Sequence, residues 1–280
     1  MKQSHTRPDS GCFLMLMLVL LTTPLKGQAQ TSMEGGARAA ALGGAATALA
    51  HNVAGYANPA TWATFSGRAV SFFASEAFGL AELRLGAAAY VEPMRLGTVA
   101  AGARTFGFED YRELHFHAGF ARGFRLGTTR RFLLGLSLRY QRVSIPEYGS
   151  AGTQALSLGA LVEVRPSLHV GFQATNMHVP KLAGREELAR TLALGLAYRS
   201  ASRVMVVLDA YKDVRFPLSV RAGVEVQPVA VLSLRAGAAT EPARFTTGVG
   251  LRLGKLAADL AGEHHAVLGW SPAVSFGLHW

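Results

Sequence analysis

The chain has 280 residues, of which 50% are apolar, 16% are charged and 31 are glycines. Its formal charge is +10, but the basic residues are scattered singly and are not interleaved with aromatic residues, so nucleic-acid binding is not indicated. After residue 29 no apolar run approaches the roughly 18 residues of a membrane-spanning helix, which excludes a helical membrane protein.

Residues 1–29 are predicted to be a signal peptide. Lys2 and Arg7 precede a ten-residue apolar run, Cys12–Leu21, and Gly27 and Ala29 place small residues at a cleavage site. The run is too short to span a bilayer, although a retained signal anchor stays open as an alternative. The only cysteine, Cys12, lies in this segment, so the predicted mature chain, with a charge of +8, has no thiol.

Residues 30–66 are predicted to form a plug inside a larger structure. The stretch Gly35–Ala63, GGARAAALGGAATALAHNVAGYANPATWA, is composed almost entirely of small residues. Alanine favours a short helix, and glycine permits tight bends. Asn58-Pro59 would stop the helix and redirect the chain.

Residues 67–280 alternate between apolar and polar side chains, which predicts strands with a different environment on each face. In Phe245–Leu253, for example, Phe245, Val249 and Leu251 share one face and Arg252 lies on the other. Fourteen segments follow this pattern, near residues 68–77, 80–91, 95–105, 111–122, 131–143, 153–165, 167–177, 188–199, 202–212, 215–227, 229–240, 244–253, 255–263 and 271–280. The predicted fold is all-β, a transmembrane antiparallel β-barrel of about 14 strands (12–14), with the helical plug in its lumen.

The connections predict the orientation of the barrel. With both termini periplasmic, links after even-numbered strands should be short and those after odd-numbered strands longer. Short links are expected at Glu92-Pro93, Pro166 and Pro228, and a long outer loop at residues 144–152. Residues 123–130 break the rule as a long link after strand 4, and the loops after strands 1 and 9 break it by being very short.

The end of the chain carries a local signal. In the final ten residues, SPAVSFGLHW, an apolar face of Val274, Phe276, Leu278 and Trp280 ends on an aromatic residue. Outer-membrane barrels end in this way because the assembly machinery reads the last strand, so Phe276 and Trp280 are predicted to be the assembly signal.

Charged residues on the polar face are predicted to line the lumen, because ionised groups are costly in hydrocarbon. The candidates are Arg84, Arg104, Arg139, Glu163, Arg199, Arg221, Glu225, Arg235 and Arg252. Their mixed signs favour ion-paired packing in a narrow, filled barrel over an open pore of one sign. Glycines on the same face, such as Gly86, Gly159, Gly195, Gly223 and Gly250, leave room inside.

Catalytic and metal sites are not indicated. His115 and His117 share one strand face, which is the spacing of two metal ligands, but a polar lining is the favoured interpretation because a third ligand is not evident. No nucleophile elbow or phosphate loop is present in the sequence. We therefore predict a protein that is not an enzyme, with no catalytic residues, no metal and no cofactor.

The plug region resembles the N-terminal hatch of FadL-like outer-membrane barrels, in particular the PorV/PorQ group associated with type IX secretion. The matching positions are Gly36-Ala37-Arg38, Gly43-Gly44-Ala45 and Asn58-Pro59-Ala60, and the C-terminal strands also look like that group. The resemblance implies a fourteen-stranded barrel with a plug, whose motif residues here are Gly36, Arg38, Gly43, Gly44, Asn58 and Pro59.

Several functions are consistent with that resemblance. A transport barrel would carry a hydrophobic or amphipathic small molecule, and an accessory component would bind secretion-system proteins without conducting anything. A purely structural barrel is the third alternative. The short outer loops disfavour docking of large secreted proteins. Predicted partners are outer-membrane lipid, the barrel-assembly machinery and a hydrophobic ligand or secretion-system components, with no nucleic acid, in the outer membrane of a Gram-negative-type cell.

Overall fold

The computed structural model describes residues 35–54, 57–127, 130–177, 181–182, 186–201 and 203–280. The predicted signal peptide, residues 1–29, and the first residues of the predicted plug lie outside this description.

Fourteen strands form one closed antiparallel barrel, which confirms the predicted fold class and strand number. Each strand pairs with its neighbours in sequence, and β1 closes the barrel by pairing with β14, from Ala69 opposite His279 to Ser75 opposite Ala273. The strands are β1 Ala69–Glu76, β2 Arg84–Met94, β3 Gly97–Gly107, β4 Arg112–Leu126, β5 Arg130–Ile145, β6 Gly149–Arg165, β7 Leu168–Thr175, β8 Thr191–Arg199, β9 Val204–Asp213, β10 Ser219–Val229, β11 Leu232–Ala239, β12 Arg244–Leu253, β13 Leu256–His265 and β14 Gly269–His279.

Helical structure is short. Helix α1 spans Ala37–Ala41, and a 3-10 helix spans Pro59–Thr64. Two single 3-10 turns, Ala77–Gly79 and Ala81–Leu83, lie between β1 and β2, and a small two-stranded pair, Lys181–Leu182 with Glu186–Glu187, lies between β7 and β8. Among the described residues, no helix has both the length and the apolar character that crossing a membrane requires.

The two faces of the barrel wall differ as the alternation predicts. In β10, Val220 and Val226 are exposed on the outside, whereas Arg221 and Glu225 are buried on the inside. In β8, Leu192, Leu194 and Leu196 are exposed. An exterior of exposed leucine, valine and aromatic side chains is stable only in contact with lipid, which makes this a transmembrane barrel.

The connections differ at the two ends of the barrel. Those after even-numbered strands are residues 95–96, 127–129, 166–167, 200–203, 230–231 and 254–255, at the end where β1 begins and β14 finishes, here called the terminus end. Those after odd-numbered strands are residues 77–83, 108–111, 146–148, 176–190, 214–218, 240–243 and 266–268, at the opposite loop end.

Several predicted connections are wrong in detail. The long link at residues 123–130 is strand except at 127–129, because β4 continues to Leu126, and most of the predicted loop at 144–152 belongs to β5 and β6. The connection after β1, residues 77–83, is longer than predicted. Pro93 and Pro228 lie inside β2 and β10 near their ends; Pro228 falls at a register shift between Val226 and Val229, where a missing ladder hydrogen bond is tolerated.

The last residue extends the seam of the barrel. The Trp280 amide donates to the Arg68 carbonyl oxygen at 3.0 Å, and the Arg68 amide donates to the Trp280 carbonyl oxygen at 2.9 Å. The Trp280 side chain is 46% exposed and lies beside Tyr90, with 6.3 Å between ring centroids. Trp280 therefore joins the first and last strands at the terminus end.

Deleting Trp280 should lower the amount of folded barrel in the membrane, because two closing backbone hydrogen bonds worth about 1 kcal/mol each and the predicted assembly signal are lost together. The measurement is the heat-modifiable fraction on gels of membrane extracts. Trp270→Ala is the control, since Trp270 is also an exposed tryptophan of β14 but lies at the loop end. Equal amounts of folded barrel with and without Trp280 would contradict the prediction.

Candidate functional site

Residues 35–65, here called the inner segment, are buried against the inward face of the barrel. Leu42, Leu49 and Trp62 are at most 1% exposed, and eight of the eleven alanines between residues 37 and 60 are at most 2% exposed. Helix α1 contacts β11 to β14, and the 3-10 helix contacts β3 to β6. The part of the sequence predicted to be a plug therefore packs inside the barrel, although only eleven of its residues are helical.

Two features of the sequence set the path of the inner segment. Gly43 and Gly44 have φ angles of 71° and 77°, in the left-handed region that favours glycine, and they turn the chain directly after α1. Asn58 caps the 3-10 helix by accepting a hydrogen bond from the Ala60 amide at 3.0 Å, with Pro59 at its first position. The Asn58 side-chain amide also donates to the carbonyl oxygens of Thr47, at 2.7 Å, and Ala160, at 3.1 Å.

The wall opposite the inner segment is lined by glycines. A Cβ atom on Gly159 would lie 2.0 Å from Asn58 Oδ1, and one on Gly237 would lie 2.3 Å from the backbone nitrogen of Gly43. Such distances leave no room for a side chain. Eight inward glycines on eight strands have contacts of this kind and form the glycine belt: Gly119, Gly135, Gly159, Gly171, Gly195, Gly223, Gly237 and Gly248.

Two of the predicted lumen glycines do not belong to the belt. Gly86 contacts only Thr105 of β3, and Gly250 lies against the side chains of Arg235 and Asp259. Gly86 shares the outward parity of Arg84, so its predicted position in the lumen is wrong, and the space beside Gly250 is taken by wall side chains instead of the inner segment.

Polar side chains of the wall bind the backbone of the inner segment. One carboxylate oxygen of Asp209 accepts the amides of Ala46 and Thr47, both at 2.9 Å. The Thr246 hydroxyl accepts the Gly43 amide at 2.9 Å and donates to the Ala41 carbonyl oxygen at 3.0 Å. The Ser275 hydroxyl accepts the Ala37 amide at 2.9 Å. These contacts satisfy backbone groups that a short helix and its turns leave unpaired.

A series of ion pairs between side chains connects the inner segment to three strands. Arg38 donates from Nε and Nη2 to the two carboxylate oxygens of Glu225, at 2.9 and 3.1 Å. Glu225 also accepts Arg235 Nε at 2.7 Å, and Arg235 Nη1 donates to Asp259 at 2.6 Å. The Glu225 side chain is 1% exposed, so its charge is stable only because two guanidinium groups contact it.

The other predicted lumen residues lie in different surroundings. Arg221 is buried, with its guanidinium 3.6 Å from the Tyr211 ring centroid and Nη1 donating to the Gly44 carbonyl oxygen at 3.4 Å. Arg104 is buried beside His115, at 3.2 Å from Nε2, whereas Arg139 is half-buried. Glu163 pairs with Arg131 at 3.2 Å. Arg199 and Arg252 have inward positions but are exposed at the terminus end.

Arg84 is a correction to the predicted lumen set. The inward residues of β2 are Leu85, Ala89 and Val91, so Arg84 points outward at the loop end, where it pairs with Glu76 at 3.0 Å. The two faces of the alanine-rich β2 differ little in polarity, so the sequence pattern does not show which of its residues point inward.

His115 and His117 belong to the buried polar lining. His115 Nε2 lies 2.9 Å from Glu113, and the His117 ring stacks on Trp62 of the inner segment at a centroid distance of 6.0 Å. Within the part of the chain that the structure describes, no group of three metal-ligating side chains is found.

Sequence reasoning missed two residues that hold the inner segment. Thr246 and Ser275 have inward positions on strands whose alternation is clear. A polar residue at such a position is a signal in the sequence, but its partner on the inner segment is not.

Basic residues concentrate at the terminus end of the barrel. Among the residues that the structure describes, eleven basic side chains lie there, with Glu92 and Glu163 as the acidic ones, each paired with an arginine. The eleven, which form the basic rim, are Arg68, Arg95, Arg122, Arg125, Arg130, Arg131, Arg165, Arg199, Arg203, Arg252 and Lys255. Toward the loop end, basic and acidic residues nearly balance, so the positive charge of the described chain comes from the basic rim.

His51 of the inner segment lies near the basic rim and has a lowered pKa. Its pKa is lowered to about 4, first by desolvation from the surrounding chain and then by the charges of Arg38 and Arg252, although part of its surface is exposed. His51 is therefore neutral at pH 7, and the opening at the terminus end is cationic through its arginines.

Comparison with solved structures identifies proteins that share this fold. No family model and no curated protein matches the chain. Among solved structures, it resembles TodX, the toluene transporter of Pseudomonas putida, as the deltaS2 mutant of this monoaromatic hydrocarbon channel, with a TM-score of 0.64 and 13% identity over 89% of this chain and 99% of that one. The Ralstonia pickettii toluene transporter TbuX gives 0.61 at 13% identity, with coverages of 89% and 99%. A Pseudomonas aeruginosa FadL homologue gives 0.54 at 10% identity, with coverages of 89% and 97%.

The chain has the FadL-like barrel fold. At identities of 10–13% the likeness concerns the fold alone, and it spans nearly the whole length of these proteins. The likeness to these structures does not show the narrower PorV/PorQ group.

Replacing Glu225 with glutamine should loosen the inner segment without opening the barrel. Removing one partner of a buried ion pair costs about 3 kcal/mol, which is about a hundredfold in the opening equilibrium. Amide hydrogen exchange over residues 37–50 should therefore accelerate by up to that factor, while the strands stay protected. Glu163→Gln is the control, because its partner Arg131 is 47% exposed. Unchanged exchange over residues 37–50 in Glu225→Gln would contradict the role of this ion pair.

A methyl group on the glycine belt should displace the inner segment. Gly159→Ala places a Cβ within 2.0 Å of Asn58 Oδ1, and overpacking of this kind costs about 1–3 kcal/mol. Hydrogen exchange should rise over residues 57–65. Gly86→Ala is the control, since a Cβ on the outward-facing Gly86 would lie 3.6 Å from Thr105 Cγ2, an ordinary contact distance. If the two variants behave alike, the belt does not fix the position of the inner segment.

Proposed function

We propose that the protein is an outer-membrane channel for hydrophobic or amphipathic small molecules, with the inner segment as its gate. The observation that carries the proposal is the way the inner segment is held. Its backbone lies in a groove of glycines and is bound by Asp209, Thr246 and Ser275 of the wall, and its Arg38 side chain is bound by Glu225.

Contacts of this type would allow the inner segment to be displaced from the barrel wall. Each hydrogen bond between wall and backbone can be exchanged for one to water, so its net contribution is only about 1 kcal/mol. At the glycine belt the wall itself contributes no side chains that interlock with the inner segment. Partial release of the inner segment would therefore leave a polar, hydrated passage inside an intact barrel.

The solved structures with this fold support the chemical class of the solute. They are named as toluene transporters and monoaromatic hydrocarbon channels. The basic rim adds a preference of this chain's own, since Arg199 and Arg252 face the opening at the terminus end. We therefore place an amphipathic solute with an anionic group ahead of a neutral hydrocarbon.

The proposed location follows from the same features. An apolar exterior, a predicted signal peptide and short links at the terminus end fit an outer-membrane barrel with both termini in the periplasm. Its partners would be the surrounding lipid and, during biogenesis, the barrel-assembly machinery, which would read Phe276 and Trp280.

A second candidate function is a non-conducting component of a type IX-like secretion system or a structural barrel. The matches to the PorV/PorQ pattern at Gly36-Ala37-Arg38 and Asn58-Pro59-Ala60 favour the secretion role, and the filled lumen favours the absence of conduction. Co-purification of secretion proteins with the barrel, together with solute uptake that does not depend on it, would support this candidate.

Uptake measurements test the channel. Cells expressing the protein should take up labelled decanoate and decanol faster than cells without it, with the larger gain for decanoate because of the basic rim. A double variant tests the gate: Ala37→Cys with Ser275→Cys places two thiols close together, since the Ala37 amide lies 2.9 Å from the Ser275 hydroxyl. A disulfide between them, verified by mass spectrometry, would fasten the inner segment.

The double variant should reduce uptake severalfold until a reductant restores it, so the reduced form of the same variant is the control. The predicted mature chain contains no other cysteine, so the disulfide is unambiguous. Uptake that is insensitive to a verified disulfide would show that the inner segment is not a gate, and uptake equal to that of cells lacking the protein would reject the channel.

A further inference from the structure

The outer surface of the barrel carries a cleft at the loop end that the proposed channel does not use. The cleft has a volume of about 390 Å³ and lies between the connection 108–111 and the tip of the β5–β6 hairpin. Arg112, Arg142, Ser144 and Ser150 contribute its polar groups, and Ile145 and Pro146 its apolar edge. We propose that this arginine cleft binds the phosphate of a phosphorylated lipid headgroup.

The cleft faces away from the lumen. Along β4, Glu113 and His115 are buried inside the barrel, so Arg112 has the opposite, outward parity. Arg142 shares the outward parity of Leu138 and Tyr140 on β5. A ligand therefore reaches the cleft from the membrane or from the solvent at the loop end.

The height of the cleft matches the headgroup region of a bilayer. The outward residues of β5 below it are Phe132, Leu134, Leu136, Leu138 and Tyr140. They span about 27 Å along the strand, or about 20 Å across a bilayer after the usual tilt, close to the apolar band of such barrels. Arg142 is the next outward residue, directly beyond an aromatic side chain that marks the interface.

The strands that carry the cleft extend further than the others. β4, β5 and β6 have 15, 16 and 17 residues, whereas the remaining strands have 8 to 11. Measured from the glycine belt, Gly135 and Gly159 lie five and six residues from the terminus end of their strands but ten from the loop end. The extra length is therefore at the loop end, where it forms a wall that headgroups can contact.

The charges in the cleft call for an anion. Arg112 is opposite Ser144 and Arg142 is opposite Leu114, which places the two arginines on one face as diagonal neighbours, about 5–8 Å apart at Cβ. Arg142 Nη2 donates to Ser150 Oγ at 2.9 Å, which orients its guanidinium. The Arg112 side chain has no hydrogen bond or ion pair with other described residues, and Glu109 is the one carboxylate at the edge.

A phosphate is the anion that fits this arrangement best. Two guanidinium groups can each donate paired hydrogen bonds to its oxygens, and the hydroxyls of Ser144 and Ser150 can donate as well. The apolar stripe below, from Tyr140 to Phe132, would accommodate acyl chains, which favours a lipid over a free phosphate. This inference does not depend on the channel function.

Native mass spectrometry of the detergent-solubilised mature barrel tests the proposal, with bisphosphorylated lipid A, dephosphorylated lipid A and inorganic phosphate as probes. Bisphosphorylated lipid A should bind at least about tenfold more tightly to the unmodified protein than to Arg112→Gln/Arg142→Gln, a loss in keeping with charge-assisted hydrogen bonds. Dephosphorylated lipid A should bind both proteins equally weakly.

Arg84→Gln is the matched control, because Arg84 is also an outward arginine at the loop end but is already paired with Glu76. It should bind lipid A like the unmodified protein, and all variants should keep their heat-modifiable migration. Equal lipid binding by the double variant and the unmodified protein would overturn the proposal. So would inorganic phosphate binding as tightly as the lipid, because the cleft would then be a solute site.

Discussion

The close approach between the inner segment and the glycine belt is the constraint on which the rest of the structure depends. A barrel of fourteen strands is too wide to be filled by its own side chains. Backbone and small side chains fill it here, because Gly159 and Gly237 let Asn58 and Gly43 approach the wall directly. That approach in turn brings backbone amides within reach of Asp209 and Thr246, so packing and hydrogen bonding are satisfied by the same geometry.

Charge is distributed according to what surrounds it. In the middle of the barrel, Arg38, Glu225, Arg235 and Asp259 compensate one another, because no water is available to a carboxylate that is 1% exposed. At the terminus end the basic rim faces water and needs no internal partner. At the loop end, outward arginines either pair, as Arg84 does with Glu76, or stand next to each other in the arginine cleft. In the proposed function the three regions would be a gate, an opening and a lipid-facing surface.

The alternation of side chains made much of this fold predictable. A period of two over residues 67–280 requires strands with one face in lipid, and the number of such segments gave the strand count. Glu225, Arg221 and Arg235 are buried on strands whose two faces differ strongly in polarity. Arg84 was misplaced because β2 is rich in alanine, and the ends of β4 to β6 were misjudged because polar residues continue to pair beyond the membrane.

The sequence by itself determined that the chain forms a barrel and that a segment of small residues precedes it, since both follow from local periodicity and composition. Only the tertiary structure decided where that segment lies and which residues hold it. The contacts of Arg38 with Glu225 and of Ala46 with Asp209 join positions more than 160 residues apart. Their pairing depends on strand tilt and on the path through the glycine belt, and neither leaves a local pattern in the chain. The arginine cleft likewise exists only because β4 and β5 bring Arg112 and Arg142 onto one face.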